Sequence, residues 1–186
     1  MMSESMSDPP SGGEPESPPE REKVAPIIQT GTAPEELTTL IARQPFFAGL
    51  PPRLLERLAG EALVMQYEIG QQILNEGEPA NRFYLILEGQ VVLEAEGEEH
   101  SQTPLQTLGP GEDLGWSWLF RPYYLHFSAR ALTRVRVLFF YGTRLRQHCE
   151  ADHELGYELL KRVGEVVVKR VELMRRKLSE TPDLRG

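Results

Sequence analysis

Apolar residues recur with two different periods along this chain, and the period changes twice. In TAPEELTTLIARQPFFAGL (32–50), Leu37 and Ile41 stand at helical spacing, and PPRLLERLAGEAL predicts a second short helix. Over residues 62–142 the period falls to two, in short runs that glycines separate. Six or more such strands predict a mainly β fold, either a sandwich or a closed roll, with helices flanking it.

The helical period returns after the strands and predicts a short helix followed by a long one. The long helix, HELGYELLKRVGEVVVKRVELMRRKL, runs for 26 residues without proline. A set of residues in it is spaced alternately by three and four, which is typical of a heptad seam. We call this set the seam: Tyr157, Leu160, Gly164, Val167, Val171, Met174 and Leu178.

The seam predicts a homodimer through the C-terminal helix. Six of its seven positions are apolar, as a parallel pair of helices requires. Beside the seam, Val163, Val166 and Val168 are expected to pack on the body of the domain. The alternative is a single amphipathic helix that lies on the roll.

Composition divides the chain into three parts. Residues 1–30 are rich in Pro, Ser, Glu and Gly and almost lack large apolar residues, so we expect a disordered tail. Residues 31–152 hold the strands with their N-terminal helices, and residues 153–180 form the dimerisation and signalling helix. The net charge of −8 argues against non-specific binding to nucleic acid.

Several classes of protein are not expected. The longest apolar run is interrupted by Glu165 and Lys169, so no membrane span is predicted, and the N-terminus lacks the features of a signal peptide. Cys149 is the only cysteine, which excludes a disulfide framework. We therefore expect a cytoplasmic protein.

No catalytic or metal-binding arrangement is recognisable either. The four histidines, at positions 100, 126, 148 and 153, do not form the closely spaced set that binds a metal on one strand. No nucleophile–base arrangement or glycine-rich phosphate loop is present. We expect no metal, no cofactor and no enzymatic activity.

Three segments resemble cyclic-nucleotide-binding domains of the kind found as effector domains in catabolite-activator-like proteins. They are ILNEGEPANRFYLILEGQVVL, PFFAGLPPRLLERLA and LGPGEDLG, and the resemblance covers about residues 45–178. It implies a double-stranded β-helix, or jelly roll, of about eight strands, with N-terminal helices and a long C-terminal helix. It also implies that Gly77, Gly89 and Gly111 occupy structural turns.

The resemblance fails at the two charged residues that hold the nucleotide. In relatives that bind cyclic AMP or cyclic GMP, a glutamate follows the glycine of the phosphate cassette, and an arginine about ten residues later pairs with the cyclic phosphate. Gly115 matches the glycine, but Trp116 stands in the glutamate position and Leu125 in the arginine position. A shift of one residue restores no arginine, because the neighbours are Tyr124 and His126.

Residues 114–128, which we call the cassette segment, are rich in aromatic side chains. Arg121, Tyr123 and His126 can donate hydrogen bonds to an anionic ligand, and Trp116 and Trp118 can form walls on which the ligand stacks. The predicted ligand is a cyclic nucleotide or another small anion, and the alternative is that the aromatic rings fill the pocket from within. The ligand-binding candidates are Leu114, Gly115, Trp116, Ser117, Trp118, Arg121, Tyr123, His126 and Ser128.

These observations predict a sensor without catalytic activity. A ligand at the cassette segment would bias a hinge at residues 144–154 and so move the C-terminal helix against a protein partner. Related transcription factors continue into a helix-turn-helix, whereas this sequence ends soon after Leu178. We therefore expect no DNA-binding domain and no direct contact with nucleic acid. The second hypothesis is a ligand-free protein-interaction module.

Overall fold

The computed structural model describes residues 25–29, 32–97 and 101–180. Nine strands in these ranges form two antiparallel sheets, with the orders β1-β2-β9-β4-β7 and β3-β8-β5-β6. The predicted jelly roll is confirmed. The strands are β1 Ile27–Gln29, β2 Leu63–Tyr67, β3 Gln72–Leu74, β4 Arg82–Glu88, β5 Val91–Glu96, β6 Gln102–Leu108, β7 Asp113–Leu114, β8 Ser128–Ala131 and β9 Val135–Tyr141.

Side chains alternate between the two faces of the strands and so build two cores. In β4, Tyr84 and Ile86 point between the two sheets into a cluster that we call the roll interior. Phe83 and Leu85 point to the other face of the five-stranded sheet and join a second cluster with the helices. Strand β4 is therefore buried on both faces, which explains its continuous apolar run.

Four α-helices and a short 3-10 turn cover the outer face of the five-stranded sheet. The helices are α1 Pro34–Ala42, α2 Pro52–Ala59, α3 Gly142–Ala151 and α4 His153–Glu180, and the 3-10 turn is Pro45–Phe47. The 3-10 turn contributes Phe47 to the second cluster, α2 contributes Leu54, and α4 contributes Leu159. The two chain ends of the domain thus share one core.

Asp152 forms the break between α3 and α4. Its Oδ1 accepts hydrogen bonds from the backbone N–H groups of Glu154 and Leu155, at 3.1 and 3.2 Å, and so caps α4. Its Oδ2 accepts from Arg53 and Arg57 of α2 at 3.0 and 2.9 Å. The backbone hydrogen bond from Leu155, together with these arginines, lowers the pKa of Asp152.

The three predicted turn glycines all have positive φ, and one of them is also required by close packing. Gly77, Gly89 and Gly111 have φ of 80°, 90° and 85°. A Cβ at Gly89 would lie 2.3 Å from the carbonyl oxygen of Arg134, so no other residue fits without moving the backbone.

Two short strands lie where the sequence predicted none. Ile27–Gln29, within the predicted disordered tail, forms β1 and pairs with β2. Strand β7 holds only two residues and exists because it pairs with Tyr84 and Leu85 of β4. Residues 1–24 of the predicted tail lie outside the described residues. No helix in the described ranges is both long enough and apolar enough to cross a membrane.

Candidate ligand-binding and signalling site

The cassette segment begins at a tight approach between two strands. Leu114 is fully buried in the roll interior, and Gly115 follows with φ +80°. A Cβ at Gly115 would lie 2.4 Å from the carbonyl oxygen of Arg82, the first residue of β4. Glycine is therefore needed here for conformation and for space, and the chain then turns into a 3-10 helix, Trp116–Leu119.

Trp118 lies in the core beneath the helices. Its side chain has no exposed surface and packs against Phe83, with ring centroids 6.0 Å apart. A Cβ at Gly142, the first residue of α3, would approach the Trp118 Cβ to 2.7 Å. Ser117 is also buried. The structure therefore places Trp118 among core residues and not on the wall of a pocket.

Trp116 lies at the surface of the cassette segment, together with several of the other candidates. It is half-buried, and its ring centroid lies 6.1 Å from that of Phe120 and 6.4 Å from that of His126. Arg121 and His126 are exposed, and the Arg121 guanidinium lies 5.8 Å from the centroid of Tyr123. These polar groups have the access to solvent that a ligand needs.

Leu125 points into the roll interior and is almost fully buried. Its backbone is held on both sides, since Leu125 N–H donates to the Glu78 carbonyl and Gly77 N–H donates to the Leu125 carbonyl, each at 2.9 Å. Ser128 is buried, and its hydroxyl accepts a hydrogen bond from the Glu76 N–H at 3.0 Å. The structure thus brings Trp116, Arg121, Tyr123 and His126 to the surface and keeps the remaining candidates in structural positions.

Arg146 of α3 joins the cassette segment to the helices, and no sequence motif indicated this role. Its Nη1 donates to the carbonyl oxygen of Trp118 at 2.6 Å, and its guanidinium lies 4.4 Å from the centroid of Tyr123. Tyr123 has φ +62°, which is uncommon for a residue with a side chain. One cation therefore holds the cassette segment at two points.

Arg170 of α4 makes a second connection, to the strand that leads into the cassette segment. It is buried and donates to the backbone carbonyl of Asp113, and its Nη2 lies 3.4 Å from the Asp113 carboxylate. Burial raises the pKa of Asp113, although Arg170 acts in the opposite direction. The sequence carried one signal for this pair, since Arg170 follows the buried Val163 by seven residues and so lies on the same face of α4.

Several apolar residues of the predicted seam on α4 are exposed. Tyr157, Leu160 and Val171 are exposed, and nothing lies within 4 Å of a Cβ built at Gly164. Val167 and Met174 are half-buried, and the Leu178 side chain lies outside the described residues. Val163 and Val166 pack on the domain as expected. For Val168 the expectation was wrong, because its side chain is 58% exposed.

Comparisons with known proteins identify the family to which this fold belongs. A family model described as cyclic nucleotide-binding domain matches residues 64–152. A crystal structure of a protein from Geobacter metallireducens, named for cyclic nucleotide binding, is 31% identical, covers 76% of this chain and 99% of its own, and has a TM-score of 0.65. The chain belongs to the cyclic nucleotide-binding domain family.

Two further relatives of this cyclic nucleotide-binding domain are regulators by name. The N-terminal domain of a transcriptional regulator from Streptomyces coelicolor is 27% identical, covers 70% of this chain and 93% of its own, and has a TM-score of 0.58. A CRP-like cAMP-activated global transcriptional regulator from Mycobacterium tuberculosis is 26% identical over 122 residues, which is 66% of this chain. The chain spans about half the length of that curated relative, 54%.

Proposed function

We propose that this member of a regulatory family is a non-catalytic sensor that passes a binding signal from the cassette segment through α3 and α4 to a protein partner in the cytoplasm. The observation that carries the proposal is the position of Arg146. It binds the Trp118 carbonyl and the Tyr123 ring at once, so a displacement of the cassette segment acts directly on α3. Helix α3 ends at Asp152, whose carboxylate caps α4.

The proposed ligand is a small anion, a cyclic nucleotide included, held by the exposed groups of the cassette segment. Arg121 supplies a guanidinium, His126 supplies a ring nitrogen, and Trp116 offers a half-exposed aromatic face. Leu125 stands at the position where relatives have the arginine that pairs with the cyclic phosphate. The contacts with this ligand therefore differ from those of a cyclic-AMP receptor. Binding shifts α3 only if the ligand prefers one of two positions of the cassette segment.

A second copy of the chain is the proposed partner of α4. Part of the heptad seam is exposed, and an exposed apolar row on a helix of 28 residues is typical of a coiled-coil contact. Three of them, Tyr157, Leu160 and Val171, lie on the face turned away from the domain. The dimer would bring the two C-terminal helices together and leave other surfaces of the domain for a further protein.

The alternative function, a ligand-free interaction module, rests on a different observation. Leu125 and Trp118 are buried in the two cores, so the cassette segment is already packed without a ligand. In this case the rings that surround Trp116 stabilise the fold, and the protein acts only through its surfaces.

A ligand titration distinguishes the two functions. Cyclic AMP, cyclic GMP, cyclic di-GMP and inorganic phosphate are added to Trp118→Phe protein, in which Trp116 is the single tryptophan, while emission and Tm are recorded. A ligand at 100 times its Kd adds about 2.7 kcal/mol to the free energy of unfolding and raises Tm by several degrees. The sensor predicts such a shift for one compound and its loss in Arg121→Gln. No shift with any of them supports the interaction module.

A further inference from the structure

A separate cavity opens at one end of the roll, next to the start of the cassette segment, where the carbonyl oxygen of its lining residue Arg82 faces Gly115. Its volume is about 280 Å³, and no residue between 114 and 128 lines it. Residues of β1, β2, β3, β4 and β9 line it. The lining residues that matter for binding are Ile28, Tyr67, Arg82, Tyr84, Phe139 and Tyr141.

Two buried tyrosine hydroxyls lie in the cavity, and one of their O–H groups lacks a hydrogen-bond acceptor among the described residues. The Tyr67 and Tyr84 hydroxyl oxygens lie 3.1 Å apart, and both side chains are almost fully buried. A single hydrogen bond between them consumes one O–H proton, so the other has no acceptor in the part of the chain that the structure describes. Burial raises the pKa of both groups, and both remain neutral donors. Since buried hydroxyls are normally satisfied, a ligand oxygen fits here.

Among the described residues that line the cavity, Arg82 alone carries a formal charge. Its side chain is half-exposed and lines the cavity together with Tyr84. Its ion pair with Glu78 is loose, at 3.7 Å. In the ranges that the structure describes, no carboxylate lines the cavity. A guanidinium can hold a carboxylate by two hydrogen bonds, so an anion that displaces the loose contact with Glu78 fits this end of the cavity.

The walls of the cavity are aromatic and incompletely covered. The Phe139 ring packs against Tyr84 and Tyr141, with centroids 5.3 and 4.7 Å apart. Tyr141 is half-exposed, and so is Ile28 of β1 in the same sheet, although both line the cavity. A flat ring between them would bury this surface and stack on the aromatic wall.

We propose that this end cavity binds a small aromatic carboxylate. The ring lies between Ile28 and the Phe139–Tyr141 pair, and the carboxylate accepts hydrogen bonds from Arg82 and from the free tyrosine O–H. The volume is near the lower end of the range for ligand pockets, so a single-ring compound suits it. The site differs from the one proposed at the cassette segment, since none of residues 114–128 lines it.

Benzoate is the probe, and benzyl alcohol is the neutral control of similar shape. Binding to the full chain is measured by isothermal titration and by ¹⁵N chemical-shift changes. We expect benzoate to bind with a millimolar or lower Kd, to shift the amides of residues 82–84 and 139–141, and to bind more tightly than benzyl alcohol. Arg82→Gln should weaken benzoate about tenfold and leave benzyl alcohol unchanged. Arg134→Gln, an exposed arginine outside the cavity, is the matched control.

Three results would overturn the proposal. The first is that benzoate does not bind at roughly 10 mM, which is about ten times the highest Kd predicted. The second is an equal loss of affinity in Arg82→Gln and Arg134→Gln. The third is that the chemical-shift changes are confined to residues 116–126. The last result would show that benzoate binds at the cassette segment. It would support the proposed sensor and reject the end cavity as a ligand site. The melting temperature of Arg82→Gln, measured alongside, shows that the variant is folded.

Discussion

The guanidinium of Arg146 lies over the ring of Tyr123, 4.4 Å from its centroid. The same side chain donates to the carbonyl oxygen of Trp118, which lies five residues earlier in the cassette segment. A cation over an aromatic face combined with a charge-assisted hydrogen bond is a strong pairing in a half-buried position. Arg146 therefore joins α3 to the cassette segment at two points.

Gly115→Ala should destabilise the fold by about 3 kcal/mol, because the new Cβ would meet the Arg82 carbonyl at 2.4 Å and the backbone has φ +80°. Gly164→Ala is the matched control, since a Cβ there meets nothing within 4 Å and alanine favours a helix by up to about 1 kcal/mol. Urea unfolding measures both. Equal free energies of unfolding for wild type and Gly115→Ala would show that the approach of β4 to Gly115 is not as close as described.

Arg170→Met should destabilise the protein by about 3 kcal/mol at neutral pH, because it leaves the buried Asp113 carboxylate without its cation. The pKa of Asp113 is already raised by burial and would rise further. A folded-state pKa above the unfolded one means that stability falls as pH rises through this interval and returns at lower pH. The deficit of Arg170→Met should therefore shrink between neutral pH and about pH 4.

The double variant Asp113→Asn/Arg170→Met tests the same pair from the other side. Removing the carboxylate together with the arginine should recover at least half of the lost stability, as measured by urea unfolding at pH 7. A deficit that is independent of pH and additive in the double variant would mean that the two side chains do not interact.

The two tryptophans should behave differently in fluorescence and stability. Trp118 is fully buried, so Trp118→Ala should cost about 3 to 5 kcal/mol, whereas Trp116→Ala should cost about 1 kcal/mol. In single-tryptophan proteins, iodide should quench Trp116 and leave Trp118 unaffected. Equal quenching of both would contradict the buried position of Trp118.

Much of the fold could be predicted because it follows from local patterns in the sequence. The alternation of apolar residues fixed most of the strands, and the glycines marked their turns, as Gly77, Gly89 and Gly111 show. Strand β1 could not be found in this way. Its Ile27 and Ile28 stay exposed, and only pairing with β2 makes the segment a strand.

The site was harder to predict, because its important contacts are distant in sequence. Trp116 and Trp118 look equivalent in the sequence, and only the approach of Gly142 and Phe83 places Trp118 in the core. The roles of Arg146 and Arg170 depend on how α3 and α4 lie on the roll. The replacement of the nucleotide-binding residues by Trp116 and Leu125, by contrast, follows from the family pattern alone and stays a prediction.

Val171→Glu should convert a dimer to a monomer, since it places a charge on the exposed apolar row of α4. Light scattering at about 10 µM, a concentration well above the nanomolar Kd of a stable interface, should show the mass of two chains for wild type and of one chain for the variant. Glu172→Ala, at the next exposed position of the helix, should keep the dimer. A wild-type mass of 21.1 kDa would rule out a stable dimer through α4 at this concentration.

Hydrogen exchange in Arg146→Gln, compared with wild type and with Arg144→Gln, tests the link between the cassette segment and the C-terminal helices most directly. Arg144 is the control because it is exposed and makes only a loose ion pair with Glu61, at 3.7 Å. We predict faster exchange in Arg146→Gln at residues 116–124 and again at residues 153–160, with no change in Arg144→Gln. Faster exchange confined to α3, or the same changes in both variants, would show that Arg146 does not connect the two.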